Sequence, residues 1–417
     1  MRSLRTLTVG PLAVLALAGC APDGASSAPS PSTAAGSSAS STPSSTGSEG
    51  PSGSAGPDAT PATPSPGAGS CRTLAEAMSR EEQVGQLIMV GIPATAALTA
   101  QTEQVLARHH VGSVLLLQNT EAGVDAVSRL AEQARAAAGA PAGTTTMLAA
   151  DQEGGLVQRL QGPGFDTIPS AREQAALSDD ALADAATGWG EQLQEAGIDY
   201  DLAPVADWVP AEMDDVNEPI GRLDRGYGPD PDVVADKVAA FVEGMDRAGV
   251  ATAVKHFPGL GLVEGNTDFT ADVVDSTTTG SAEELAGFRA AIDAGVDSVM
   301  VATATYSELD PDNQAMFSEA VVNDLLRDEL GFDGVVISDD LGVAEAVADI
   351  PVERRLLDFL RAGGDVAITA DPGLTASMVG GVLAAAETDE ALAAALPDHV
   401  TRVLEMKAAR GLADCQR

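Results

Sequence analysis

Eight short apolar runs, none broken by regular polar alternation, recur between residues 86 and 368 and restrict the folds open to this chain. They are Gln86-Leu-Ile-Met-Val90, Ser113-Val-Leu-Leu-Leu117, Thr146-Met-Leu-Ala-Ala150, Tyr200-Asp-Leu-Ala-Pro-Val205, Ala251-Thr-Ala-Val254, Ser298-Val-Met-Val301, Gly334-Val-Val-Ile337 and Asp365-Val-Ala-Ile368. A strand with one face in water alternates apolar and polar residues, whereas continuous runs suit strands covered on both faces, as in a parallel sheet. Ala-rich stretches with charges along one face, at 121–138, 231–248, 281–295 and 374–386, supply crossover helices. Eight such units predict the α/β class and a single (β/α)8 TIM-type barrel, with an open doubly wound sheet as the alternative.

The first seventy residues stand outside this pattern. Arg2 and Arg5 precede an apolar stretch at 11–18 that is too short to span a bilayer, the arrangement of an export signal. It ends in Leu17-Ala18-Gly19-Cys20, which resembles the lipobox of bacterial lipoproteins and so marks Cys20 for acylation. An ordinary signal peptide that contains a cysteine is the competing reading. From Ala21 to Ser70 every residue except Asp23, Glu49 and Asp58 is Ala, Gly, Pro, Ser or Thr. Such a segment cannot repay its conformational entropy by burial, and a disordered tether is expected. The predicted organisation is a signal at 1–19, lipidated Cys20 with its linker at 20–70, and a folded domain at 71–417. The protein is expected at the outer face of the cell membrane, held there by the lipid or released from it.

Cys71 and Cys415 bracket the folded part, and in an exported protein they are expected to form a disulfide. Closing so long a loop is worth on the order of 3 to 5 kcal/mol in the chain-entropy account. The bond requires the two ends of the domain to be neighbours. A barrel, whose first strand pairs with its last, meets that requirement, and an open sheet has no reason to.

The chain carries 23 basic and 62 acidic residues, and −38 of its net charge of −39 falls on residues 71–417. So negative a surface repels phosphate backbones and anionic headgroups, which excludes nucleic acid as a partner and leaves the lipid as the only membrane contact. A monomer is expected. With Trp189 and Trp208 the only tryptophans, a long stacking groove for polysaccharide is disfavoured. Trp189 reads as core, and Trp208 as either core or platform. The histidines lack ligand spacing and Asp151-Gln-Glu-Gly-Gly lacks the ending of a phosphate loop, so neither metal nor cofactor is expected. Lys255-His256 does not read as a metal-ligand pair, because adjacent strand residues point to opposite sides unless the chain bends there.

Polar residues gather where the runs end. Asp151 follows the third run, Asp207 the fourth, Lys255 and His256 the fifth, and Ser338-Asp339-Asp340 the seventh. In a barrel these positions converge on the C-terminal rim, where such folds keep their chemistry.

Five segments taken in order resemble glycoside hydrolase family 3, and within it the single-domain β-N-acetylglucosaminidases (β-hexosaminidases). They are Asp151-Gln-Glu-Gly-Gly-Leu-Val-Gln-Arg159, Ala203-Pro-Val-Ala-Asp207, Arg225-Gly-Tyr-Gly228, Lys255-His-Phe-Pro-Gly-Leu-Gly261 and Val336-Ile-Ser-Asp-Asp-Leu341. The resemblance runs from about Leu74 to Arg410. It implies a catalytic domain at 71–417 that removes terminal β-N-acetylglucosamine from cell-wall fragments or related glycosides. It further implies that Asp339 is the nucleophile of a retaining mechanism, and that Asp151, Arg159, Arg225, Lys255 and His256 bind the sugar. For the arginines, ion pairing that supports the loops is a second role. Asp340 is a weaker nucleophile candidate. The 78 residues after Asp339 leave no room there for the second domain of the larger β-glucosidases.

The chain departs from the family at one place. The loop after the fifth strand usually reads Lys-His-Phe-Pro-Gly-His-Gly, four further residues, then Asp-Ser-His or Asp-Thr-His, and the last histidine is the general acid/base. Here Leu260 replaces the second histidine of that motif, the first being kept as His256, and Asn266-Thr267-Asp268 occupies the end. Asp268 in the histidine's place is the expected acid, with Glu264 as the outside candidate. A carboxyl with a reference pKa of about 3.9 must be shifted upward to serve. The missing histidine also leaves open a sugar-binding lipoprotein of weakened catalysis, and the altered motif leaves open a β-glucosidase-type specificity. The natural aglycone and the choice of water or phosphate as acceptor are not fixed by the sequence.

Overall fold

In a computed structural model of the chain, residues 68–415 are described, so the signal, Cys20 and the linker to residue 67 lie outside the described residues. Eight parallel strands close into a barrel. In chain order they are β1 (Ile88–Pro93), β2 (Ser113–Leu117), β3 (Met147–Ala150), β4 (Tyr200–Asp201), β5 (Ala251–Phe257), β6 (Ser298–Val301), β7 (Val335–Asp340) and β8 (Val366–Thr369). Each pairs with the next, and β1 pairs with β8 through Ile88↔Ala367 and Met89↔Ile368. The barrel expectation holds, and the open sheet does not.

Helices Val124–Ala138, Pro231–Arg247, Ala286–Asp293 and Thr375–Ala386 fall within the stretches read as crossovers. Two strands differ from their apolar runs. The first begins at Ile88 because Gln86 still belongs to helix Arg80–Gln86, which Ser79 and Glu82 close with a reciprocal capping box. The fourth is a ladder of only two residues, Tyr200 and Asp201. Beyond it the chain returns to β5 through a single bridge, Val205 with Lys255.

Three aspartates lock the stagger of the strands at their N-terminal end. Asp199, Asp297 and Asp365, each just before an even-numbered strand, accept the main-chain N–H of Leu148, Thr252 and Val336 on the odd-numbered neighbour. Each is also held by arginine: Arg135, Arg410, and the pair Arg327 and Arg402. Burial works against the charge of Asp365, but His399, Arg402 and Arg327 keep its carboxyl well below the usual range.

Cys71, in helix Ala68–Ala77, is bonded to Cys415, with 4.6 Å between their Cα atoms and both side chains buried. The two ends of the described chain therefore meet, as barrel closure requires.

Candidate active site

A pocket of about 320 Å3 opens at the C-terminal ends of the strands. That is at the small end for a ligand site, and it is lined partly by Leu115, Leu202, Met300 and Ile368 from the barrel. Asp151, Arg159, Arg225, Lys255, His256, Asp268 and Asp339 all line it, so the structure brings together every expected catalytic and sugar-binding residue. Glu264 is exposed and does not line it. Trp189 is buried against Phe241, and Trp208 donates its indole N–H to the carbonyl of Pro229 at 2.7 Å, away from the lining, so neither tryptophan serves as a platform in this pocket.

One wall is a charge lattice. Lys255 Nζ lies 2.7 Å from both Asp151 Oδ1 and Glu153 Oε1, with its side chain only 2% exposed. Arg225 forks onto Glu153, Nε to Oε2 at 2.8 Å and Nη2 to Oε1 at 2.7 Å. Burial opposes the charge of Glu153, yet Arg225 and Lys255 hold its carboxyl well below the usual range. Burial also opposes the charge of Lys255, and Asp151 and Glu153 overcome it to raise the ammonium pKa. The lattice thus fixes its cations as donors. Beneath it, Asp201 accepts from the N–H of Gln152 at 2.9 Å, and burial pushes its carboxyl up to about 8. Arg159 differs from the other cations: it takes Asn119 Oδ1 at 3.0 Å and, among the described residues, pairs with no carboxylate. Loop support is therefore the ion-pairing role of Arg225 and not of Arg159.

Lys255 and His256 both line the pocket, although neighbouring residues of a regular strand diverge. The register of β5 against β6 shifts between Lys255 and Phe257, so the simple alternation ends there. Asp207 is not a rim carboxylate but is fully buried beneath His256.

The loop carrying Asp268 is tied down along its length. Asp207 Oδ1 accepts from the N–H of Leu260 at 2.7 Å, and Asn217 Nδ2 donates to the carbonyls of Leu260 and Val263 at 2.7 and 2.8 Å. Tyr306 donates to the carbonyl of Gly259 at 2.8 Å. At the far end, Glu345 and Ala346, just past β7, donate their N–H groups to the carbonyls of Asp268 and Thr267. Leu260 is buried, so this position serves packing. At Gly261 a Cβ would come within 1.7 Å of the Trp208 carbonyl, so no larger residue fits without moving the loop.

The two carboxylates at the end of β7 divide cleanly. Asp340 accepts three main-chain N–H groups: Gly342 and Ala370 on Oδ1, and Val343 on Oδ2. Asp339 accepts only the N–H of Asp340, on Oδ1, which leaves Oδ2 without a partner among the described residues. Asp268 sits close enough to sense it: burial first, then the negative charge of Asp339, pushes the Asp268 carboxyl up to about 6. The residue as a whole is exposed, so water relieves part of the burial cost, and a bound sugar that displaced this water would restore it. Among the described residues no group of three His, Cys, Asp or Glu side chains is arranged to hold a metal.

Glu153 and Asn217 complete the site without having been marked by spacing. Glu153 lies inside the Asp151-Gln-Glu segment, where one carboxylate hides another, and Asn217 lies in a loop of unremarkable composition.

Residues 79–406 match the glycosyl hydrolase family 3 N-terminal domain. The chain is 36% identical over 296 residues to a β-hexosaminidase of Stenotrophomonas maltophilia, covering 69% of this chain and 84% of the relative. A solved structure of a β-N-acetylhexosaminidase from Beutenbergia cavernae superposes with a TM-score of 0.77 at 46% identity, covering 80% of this chain and 99% of the other. A family 3 β-N-acetylglucosaminidase from Paenibacillus superposes at 0.72 with 29% identity, covering 81% and 63%.

Proposed function

The chain belongs to glycosyl hydrolase family 3, and on that footing we propose that it is a retaining exo-β-N-acetylglucosaminidase with Asp339 as nucleophile and Asp268 as acid/base. The observation that carries this reading is the pair of carboxyls lining one small pocket, one with a free oxygen and the other raised to about 6 beside it. Asp339 attacks the anomeric carbon while Asp268 gives its proton to the departing glycosidic oxygen, and a glycosyl ester forms on Asp339. Asp268, now a carboxylate, takes a proton from water as that water attacks the ester. The sugar leaves with its original anomeric configuration and both carboxyls are restored. Asp151, Arg159, Arg225, Lys255 and His256 hold the hydroxyls of the terminal sugar, and the pocket's size favours action on a chain end.

The relatives with hexosaminidase names support an amino-sugar substrate over a glucoside. Export as a Cys20-anchored lipoprotein accords with the Cys71–Cys415 disulfide, since such bonds persist in oxidising compartments. The deciding experiment is hydrolysis of aryl β-N-acetylglucosaminide and aryl β-glucoside by the full chain, with Asp339→Asn as the blank and the anomeric form of the first product read by NMR. Selective release from the N-acetylglucosaminide with a β product is expected. Glucoside preference overturns the specificity, and silence with retained sugar binding overturns the enzyme.

A further inference from the structure

Phe269 follows Asp268 directly, lines the pocket, and is 80% exposed, the only aromatic among the exposed large apolar side chains of the described residues. The chain has few aromatics to place, eight Phe, three Tyr and two Trp, and buries most of them. Two further exposed apolar residues, Leu156 and Val343, lie on the loops after β3 and β7; the first of these loops brings Arg159 to the pocket, and β7 itself ends in Asp340 there. Of the three, Phe269 alone lines the pocket, and so exposed an apolar side chain there is suited to being covered during the working cycle.

The occupant follows from the chemistry of the site, and this step rests on the roles given above to Asp339 and Asp268. The pocket accommodates about one ring, and that ring is the sugar attacked by Asp339. The glycosidic oxygen must then stand at Asp268, and whatever that oxygen carries must emerge beside Asp268, where Phe269 stands. We propose that Phe269 is the platform of the leaving-group subsite and that its natural occupant is a second pyranose. A pyranose offers a face of C–H groups that packs on an aromatic ring without requiring a charged partner. That suits a rim where the neighbouring charges, Glu264 and Asp272, are both acidic and exposed. The aromatic ring would also exclude water from the Asp268 carboxyl while the bond breaks, holding the proton on the acid until it is transferred.

The test compares two substrates that share the attacked sugar and differ in what leaves. N,N′-diacetylchitobiose places a pyranose over Phe269, whereas β-N-acetylglucosaminyl fluoride places nothing there and needs little help from an acid. In Phe269→Ala of the full chain, the ratio of kcat/KM for chitobiose to kcat/KM for the fluoride is expected to fall roughly 10- to 100-fold, and to recover in Phe269→Trp. A ratio that does not move in Phe269→Ala, whether both values fall together or neither falls, overturns the subsite. Inactivity of the unaltered chain on both substrates removes the proposed function and the subsite with it.

Discussion

Asp207 holds His256 with both carboxylate oxygens, Oδ2 at 2.7 Å from ring Nδ1 and Oδ1 at 3.1 Å from the main-chain nitrogen. A carboxylate only accepts, so Nδ1 carries a proton. Ring Nε2, with Arg225 Nη2 approaching at 3.5 Å, presents its lone pair. His256 thereby presents an acceptor in a pocket where Arg159, Arg225 and Lys255 are donors. The same Oδ1 holds the N–H of Leu260, so a single buried carboxylate orients the His256 ring in the pocket and the root of the Asp268 loop together.

Asp207→Asn places an amide donor where an acceptor is required, and the imidazole must reverse its tautomer or lose the bond. The expected loss is about 2 kcal/mol, or roughly 30-fold in kcat/KM. The nitrogen-15 shifts of the His256 ring should exchange between Nδ1 and Nε2. Lost activity with unchanged ring shifts would refute the tautomer argument and leave only a packing role.

Asp339 and Asp340 are adjacent, but their substitutions should fail in different ways. Asp339→Asn removes the proposed nucleophile while leaving the backbone bonds around it intact, so turnover should vanish with little change in Tm. Asp340→Asn replaces an acceptor of three main-chain N–H groups by one whose amide must face a donor, at an expected cost of about 3 kcal/mol in stability. Melting curves and aryl glycoside assays on both variants separate the two. Loss of activity confined to Asp340→Asn would exchange the assignments.

Strand number, order of the units and the meeting of the chain ends were legible because each depends on a repeated or paired signal, apolar runs in one case and two cysteines in the other. The pocket residues were legible as a set, since residues that end parallel strands share one rim. Their partners were not. Glu153 completes the lattice with Lys255 and Arg225, and Asn217 clamps a loop forty residues away, through contacts that leave no periodicity. The way Lys255 and His256 come to share the pocket was hidden for a related reason, because alternation presumes an unbroken ladder and β5 shifts register at that point.

The Cys71–Cys415 bond closes nearly the whole folded chain, yet neither cysteine lines the pocket. Opening it enlarges the unfolded ensemble and leaves the carboxyls where they are. Cys71→Ser with Cys415→Ser should therefore lower stability by roughly 3 to 5 kcal/mol, read as a lower urea midpoint at similar slope. The kcat/KM at 25 °C should stay within about twofold of the unaltered chain, since the rim contacts do not involve either residue. A large fall in kcat/KM without loss of stability would show that the bond shapes the rim.

Asp268, pushed up to about 6, makes a directional claim on pH. A raised carboxyl pKa keeps the acid protonated below that value and ionises it above, so at pH 7 roughly one molecule in ten carries the proton. For a poor leaving group, which needs the proton, kcat/KM should fall about tenfold for each pH unit above 6. An activated aryl glycoside, whose leaving group departs as a stable anion, should show a much flatter limb. Asp268→Asn should abolish the limb for both substrates and slow the poor leaving group by far the more. In that variant the glycosyl ester on Asp339 lacks its base, so water attacks slowly, whereas azide, which has no proton to lose, should accelerate turnover of the activated substrate. Equal slowing for all leaving groups, with no response to azide, would remove Asp268 from the reaction and return the search to the other groups of the loop.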